Sequence, residues 1–459
     1  PFLAKEVPTV ENGGISKDGL TYTFKLRNDV KWHDGAPFTA KDVLFTHEVS
    51  SNPNNGARFP LPVKSVTAPD DYTVVFTLQA PNVGLLSRFV NFQPLPQHVL
   101  KDVKDWKTAE YFSKPYPGTG AYKFVEWQRG SHVTVERNPN YYKAPVNLDK
   151  IVYRIIPNDD ARLAALKTGE ADMSFYLIGQ HVDLAKQISG IVVRETPSFS
   201  AFFFIFNLRD PLLKDVRTRQ ALNYALDREG IVKNVIKGLG SPKYSPIPKA
   251  SPAYAEPKTR YNFDVAKAKA LLDAVGWKET TPGGIREAKG VAGVPDGTKL
   301  AFTVNNITGQ AERLLVCQVA QQQWKAIGAQ MDINAVDVAG YVAANNSFKF
   351  TMSYGYLGVV PEPTEMGQWW QAKVGSNWHG LDTVWPEIDD TFAKAAATLD
   401  KTERMKILAD YQEKMMQLAT DAFVYDRVFY DAVKTKVQNF KPGPSGTQTW
   451  NAYEWWVKA

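Results

Sequence analysis

A chain of 459 residues is too long for one ordinary hydrophobic core and predicts two or three domains. With 44% hydrophobic and 22% charged residues it is neither disordered nor fibrous, and its net charge of +6 is spread over interspersed charges of both signs, without the Lys/Arg run of a nucleic-acid surface. A single cysteine, Cys317, excludes an intramolecular disulfide and any Cys-x-x-Cys motif, and no run of about 18 apolar residues offers a transmembrane helix.

Tyr22, Phe24 and Leu26 alternate with polar residues and predict a strand over 21–27. Asp34-Gly35 before Pro37 predicts a turn, and Thr39 with Asp42 three residues on predicts a capped helix. A turn at residues 69–71 precedes a strand over 72–78, and a Pro-rich crossing at 92–96 leads to strands over 118–127 and 132–137. Residues 151–156 are apolar enough for a central strand, and Asp159 or Asp160 is expected to cap the helix that carries Leu163, Leu166 and Ala171.

The aromatic run over 200–207 reads as a buried strand. One helix or two follow Asp215 and end near Gly238, and another over 264–275 stops at Gly276. A strand over 300–304, a helix over 312–327 ended by Gly328 and a strand over 330–334 make a βαβ unit with a parallel pair. Helix over 388–418, interrupted at 399–403 where Asp400 and Glu403 fit a capping box, returns to strand over 423–433 and 435–437. Segments 239–262 and 279–299 read as loops. The class is α/β.

Chemistry is harder to find. No phosphate-binding glycine loop, His-Glu-x-x-His or Gly-x-Ser-x-Gly element is present, and the histidines at 33, 47, 98, 132, 181 and 379 show no metal-ligand spacing. His33-Asp34 are sequence neighbours without a serine nucleophile motif, so a turn that packs Trp32 is the reading favoured over catalysis. These absences suit a binding protein, not an enzyme, with no cofactor and no metal. Twelve Trp, 20 Tyr and 24 Phe supply faces that can enclose a ligand, although large cores use them too.

The stretch from Asp18 to Val43, which contains Thr-Tyr-Thr-Phe-Lys-Leu-Arg and Trp-His-Asp-Gly, resembles the signature of the family 5 extracellular solute-binding proteins, receptors of peptide/nickel-type ABC importers. Gly118-Thr-Gly-Ala-Tyr-Lys-Phe, Glu136-Arg-Asn-Pro-Asn-Tyr-Tyr, Leu166-Lys-Thr-Gly-Glu-Ala-Asp, Asp215-Val-Arg-Thr-Arg-Gln-Ala-Leu and Ala268-Lys-Ala-Leu-Leu-Asp-Ala-Val-Gly-Trp continue the likeness in the family's order. It implies a two-lobed clamshell of the type II, cluster C kind, with residues 1–117 as an extra domain of the first lobe. Residues 118–208 and 427–459 would complete that lobe, and residues 209–426 would form the second. It further implies a periplasmic or membrane-anchored extracellular monomer that delivers its ligand to an ABC permease and takes no nucleic acid. A signal peptide and a strand-rich segment are expected upstream of Pro1.

In peptide-binding members an Asp shortly before a Glu-Pro-Thr-like segment pairs with the peptide ammonium. Here Val359 holds that place, with Glu362 the nearest acid, and a buried ammonium without a carboxylate is costly. The resemblance therefore implies a ligand other than an ordinary free-amine peptide: a sugar, an opine-like conjugate, an aromatic compound or a modified peptide. Glu362 or Glu365 would be needed for a peptide, and a ligand sensor or chaperone outside transport is the other alternative. The candidate contacts are Phe204, Tyr354, Tyr356, Glu362, Trp369, Trp370, Asn377, Trp378 and His379.

Overall fold

A computed structural model describes residues 2–55, 61, 63–89, 92–106, 115, 117–358, 362, 364, 370–371 and 377–458. The first module contains β1 (Thr21–Lys25), α1 (Ala40–Ser51), β2 (Val63–Asp70) and β3 (Thr73–Leu78), with antiparallel sheet order β1-β3-β2. Alternation in β1 sends Tyr22 into a cluster with Trp32, Phe38, Val43, Val74 and Phe76. The expected capping box is present: Thr39 Oγ1 accepts from Lys41 N–H at 3.3 Å, and Asp42 Oδ2 accepts from Thr39 N–H at 3.0 Å. Asp42 also receives Trp32 Nε1–H at 3.3 Å and Gln97 N–H at 3.0 Å. One buried carboxylate thereby ties the turn, the helix start and the Pro-rich crossing together.

The His-Asp pair of the turn takes separate partners. Asp34 Oδ2 lies 2.8 Å from His98 Nε2, whereas His33 engages the backbone of Gly118 and Gly120. Those contacts hold residues 118–120 away from the sheet, so β4 (Tyr122–Gln128) starts later than its sequence predicts. It forms an antiparallel meander with β5 (His132–Arg137) and β6 (Lys150–Arg154). Next come α2 (Asp159–Thr168), β7 (Met173–Ser174) and α3 (Gly179–Lys186). The cap of α2 is Asn158, which accepts from Ala161 N–H at 2.9 Å; Asp159 and Asp160 occupy the first turn, where they favour the helix dipole.

The principal sheet has seven strands. Along it lie β8 (Ile191–Phe206), β9 (Gly240–Pro242), β10 (Ala301–Ile307), β11 (Gln330–Val336), β12 (Met352–Gly358) and β13 (Asp421–Lys434), in the order β11-β10-β12-β8-β13-β7, with β9 also on β13. Between these strands stand α4 (Val216–Tyr224), α5 (Val265–Val275), α6 (Ala311–Lys325), α7 (Val338–Asn346), α8 (Ile388–Ala397) and α9 (Lys401–Leu418). The expected βαβ unit is β10-α6-β11, paired in parallel from Ala301↔Gln330 to Ile307↔Val336.

The aromatic run is the second half of a longer strand. β8 pairs antiparallel with β13 from Ile205↔Asp421 to Ile191↔Lys434, through register shifts at residues 423–425 and 426–428. One end of this ladder, Phe202 to Phe206 with Phe423 and Tyr425, enters a core with Trp277, Trp324 and Tyr354. The other end sends Val428, Tyr430 and Ala432 into a separate core with Leu166, Leu177 and Val182. Two strands are therefore shared by two cores, with the bulges between them. Away from this crossing the first module meets α8: Val83 N–H donates to the Ala396 carbonyl at 2.9 Å. Gly19, at φ +69°, passes so close to Leu399 that a Cβ would stand 3.3 Å from its side chain.

Candidate functional site

β12 runs parallel to β10 and antiparallel to β8, so the carboxyl ends of β10, β11 and β12 all lie toward residue 200 of β8, where the two cores part. Open α/β sheets bind ligands outside the carboxyl ends of their strands. At that end Tyr356 stands opposite Phe202 and is 46% exposed, while its ladder neighbours Tyr354 and Phe202 are buried. Its hydroxyl lies 3.1 Å from Ser200 Oγ. Arg313, in the first turn of α6, places its guanidinium carbon 5.4 Å from the Phe202 ring centroid and 5.5 Å from that of Tyr356. The adjacent Glu312 accepts the Tyr425 hydroxyl at 2.5 Å.

Across the ladder Tyr176 adopts φ +57° and meets Phe429 edge-to-face at 5.1 Å. Its N–H donates to Asp431 Oδ1 at 3.0 Å, and its hydroxyl donates to the Gly446 carbonyl. Gln448 Nε2–H donates to the other Asp431 oxygen at 2.5 Å; burial pushes this carboxyl up to about 6. Tyr356 and Arg427 both act electrostatically on the Tyr176 hydroxyl, whose pKa is raised chiefly by burial. Arg427 sits at the second bulge of β13, half-buried, with its carbonyl accepting Ser198 Oγ–H at 2.8 Å. Beside it Lys243 and Asp426 form a buried ion pair at 2.7 Å.

The residues expected to contact ligand do not converge here. Phe204, Tyr354 and Trp370 are fully buried in the larger core and present no open face. His379 is buried as well, its Nε2 2.7 Å from Asp421 Oδ1, and its carbonyl accepts Leu208 N–H at 2.9 Å. That is six residues along β8 from the partner of Tyr356, roughly 20 Å at about 3.3 Å per residue. Asn377 bonds Asp382 at 3.1 Å, and Trp378 packs edge-on against Tyr341 and donates to Asn346 at 2.6 Å, all toward the same far end. Glu362 lies 3.7 Å from Arg404, whose Nη1 donates to the Thr398 and Leu399 carbonyls at 2.8 and 3.2 Å. Trp369, Glu365 and Val359 lie outside the described residues.

Of the expected contacts among the described residues, Tyr356 alone stands at the open end with an exposed ring. Ser200 and Arg313 join it through contacts that only the fold creates, and nothing in the spacing of the sequence singles them out. Among the described residues no three His, Cys, Asp or Glu side chains come together to hold a metal ion. No helix among them is long and apolar enough to cross a membrane. A cavity of about 1260 Å³ lies elsewhere, between the first module and residues 447–453, walled by Phe24, Phe89, Tyr142 and Tyr453.

Two lobes joined through shared strands, with an exposed wall where the strands cross, define a solute-binding protein of the two-lobed clamshell class. The profile of the bacterial extracellular solute-binding proteins, family 5 Middle, matches residues 1–378, and the chain belongs to that family. It is 34% identical over 457 residues to a putative ABC transporter peptide-binding protein of Brucella ovis, covering 94% of this chain and 81% of the relative. To the oligopeptide-binding protein AppA of Bacillus subtilis it is 29% identical over 461 residues, covering 96% and 81%. The structure of that AppA with a nonapeptide aligns with a TM-score of 0.79 and 26% identity, over 100% of this chain and 90% of the other. NikZ of Campylobacter jejuni in complex with Ni(L-His) aligns at 0.83 and 27%, over 100% and 91%.

Proposed function

We propose that this protein captures a small solute other than an ordinary free-amine peptide and presents it to a membrane permease. Its first lobe comprises residues 118–208 and 427–459, extended by residues 1–117, and its second comprises residues 209–426. Closure bends β8 and β13 at their bulges, and the ligand favours the closed state by contacts with both lobes. Solved relatives carry ligands as different as a nonapeptide and Ni(L-His), so family membership alone does not select the solute.

The observation that carries the reading is the exposed Tyr356 with Arg313 above it. An aromatic face and a cation suit a polar solute, and neither brings a carboxylate to a ligand's ammonium group. Glu362, the acid nearest the place of Val359, is engaged by Arg404, which weighs against a peptide reading that uses it. The protein works as a monomer outside the cytoplasmic membrane and carries out no covalent chemistry.

Thermal-shift measurements with di- to pentapeptides, oligosaccharides, opines and aromatic acids test this. A bound solute at a hundredfold excess over its dissociation constant should stabilise the fold by about 2.7 kcal/mol. Stabilisation by free-amine peptides alone would overturn the reading.

A further inference from the structure

We propose that the first module carries a clasp for the closed state: the loop at residues 80–84, with Gly19, grips the link between α8 and α9 when the lobes close and releases it when they part. The device lies away from the strand crossing. It rests on the receptor reading above, in which residues 1–117 travel with the first lobe and residues 209–426 form the second.

The first module is bound firmly to one lobe and lightly to the other. Toward the first lobe His33 N–H donates to the Gly118 carbonyl at 2.8 Å, Lys123 Nζ donates to the His33 carbonyl at 3.2 Å, and Arg27 Nη2 donates to the Tyr142 carbonyl at 3.2 Å. Phe2 also meets Tyr453 edge-to-face at 6.0 Å. Toward the second lobe one hydrogen bond is present among the described residues, from Val83 N–H to the Ala396 carbonyl at 2.9 Å. Beside it Pro81 and Leu399 close over Gly19, where a Cβ would stand 3.2 Å from Pro81 Cβ and 3.3 Å from Leu399 Cδ2. A residue without a side chain, at φ +69°, lets the two surfaces approach this far.

Both surfaces are braced before they meet. The Tyr22 hydroxyl donates to the Asn82 carbonyl at 3.0 Å, and Asn82 Oδ1 accepts Gly84 N–H at 2.8 Å, which fixes the loop that presents Val83. On the other side Arg404 Nη1 donates to the Thr398 and Leu399 carbonyls at 2.8 and 3.2 Å, and Asp400 caps α9 through Glu403 N–H at 2.8 Å. Rigid surfaces joined by few contacts can part without local unfolding. One net hydrogen bond shifts a two-state balance by roughly two- to tenfold.

Position supplies leverage. The link precedes α9, an 18-residue helix whose other end leads into β13. Roughly 27 Å of helix, at about 1.5 Å per residue, therefore lies between the clasp and a strand that bends. A rotation of roughly 10° carries a point at that radius through as much as about 5 Å, which a hydrogen bond does not survive.

Small-angle scattering and amide exchange of the full chain test the clasp. In Leu399→Asp a charge faces Gly19 and Pro81 and should hold the lobes apart. In Pro81→Cys/Leu399→Cys a short bismaleimide should hold them together; Cys317 is buried and leaves the reagent to the introduced pair. The cross-linked protein should have a smaller radius of gyration than Leu399→Asp, with the double variant before cross-linking as reference. The Val83 amide should exchange roughly two- to tenfold faster in Leu399→Asp than in wild type. Urea unfolding of each variant separates an open fold from a damaged one.

Equal radii for the cross-linked and Leu399→Asp proteins would overturn the clasp. So would a peptide, oligosaccharide, opine or aromatic acid of the thermal-shift panel that compacts the wild-type protein and leaves Val83 exchange unchanged; the receptor reading would then stand. A solute that compacts the protein, slows Val83 exchange and binds more weakly to Leu399→Asp supports both. Compaction by the cross-link and by no solute of the panel would support the clasp and count against the receptor reading.

Discussion

His33 and Gly118 are joined in both directions: His33 N–H donates to the Gly118 carbonyl at 2.8 Å, and Gly118 N–H donates to His33 Nδ1 at 3.2 Å. With Nε2 lying 3.0 Å from the Gly120 carbonyl, one neutral tautomer satisfies both ring nitrogens. The residue of a Trp-His-Asp-Gly turn that most suggests catalysis thus fastens the first module to residues 118–120.

Protonation would turn the accepting Nδ1 into a donor facing a donor. Burial is the main reason that the His33 pKa falls below its ordinary 6.5. A depressed folded value means that this contribution is complete above pH 6.5 and is lost as pH falls through the folded pKa. His33→Gln should flatten the dependence of unfolding free energy on pH between about 7 and 5, where the histidine titrates. Urea unfolding of both proteins across that range checks it. Equal slopes would show that His33 does not titrate differently on folding.

Lys243 and Asp426 are buried together at 2.7 Å, next to the bulges of β13. Removing one partner strands the other charge, so Lys243→Met should cost about 3–5 kcal/mol. The double variant Lys243→Met/Asp426→Leu should recover most of the loss, because two apolar groups leave no buried ion. Chemical denaturation of the four proteins in the cycle gives the coupling. A double variant as unstable as the single one would show that the pair's other contacts, including Lys249 N–H on Asp426, matter more.

Asp431 predicts the opposite pH response. Its folded pKa is raised from 3.8 to about 6 by burial, so its favourable contribution is complete below 3.8 and is lost as pH rises through 6. Relative to Asp431→Asn, the wild-type protein should therefore gain stability as pH is lowered from 7 to 4. Differential scanning calorimetry of the pair at matched pH values reads the difference. A constant offset would indicate that Gln448 and Tyr176 N–H compensate the buried charge.

Much of this fold is legible where side chains report local geometry. Thr39 and Asp42 mark a helix start because a capping box is satisfied within four residues, and Gly276 ends α5 because only its positive φ continues the chain there. β12 is hidden by its own glycines, Gly355 and Gly358, which interrupt the alternation that reveals a strand. α7 is hidden because Val338 and Val342 face solvent, so no apolar stripe marks it. The first half of β8 mixes aliphatic and polar residues, is only partly buried and carries no aromatic signal, so only its aromatic half is visible. The site suffers most. Aromatic composition nominates Phe204, Tyr354 and Trp370, which lie buried in the larger core, whereas Arg313 and Ser200 reach Tyr356 across more than forty and more than a hundred and fifty residues of sequence, a proximity that only the fold creates.

Tyr356 gives the most direct separation of binding from stability. It is 46% exposed, and among the described residues its hydroxyl meets Ser200 Oγ. Tyr356→Ala should change unfolding free energy by no more than about 1 kcal/mol, since little apolar surface leaves the core. Affinity should fall far more, because the substitution removes the ring that faces the solute and the surface on which Arg313 rests. Tyr356→Phe keeps the ring and the arginine contact but loses the hydroxyl, and should lie between Ala and wild type. Calorimetric titration with any stabilising solute gives the order. If Tyr356→Ala binds as well as wild type, the ligand does not reach the carboxyl ends of β10 to β12, and the site lies elsewhere.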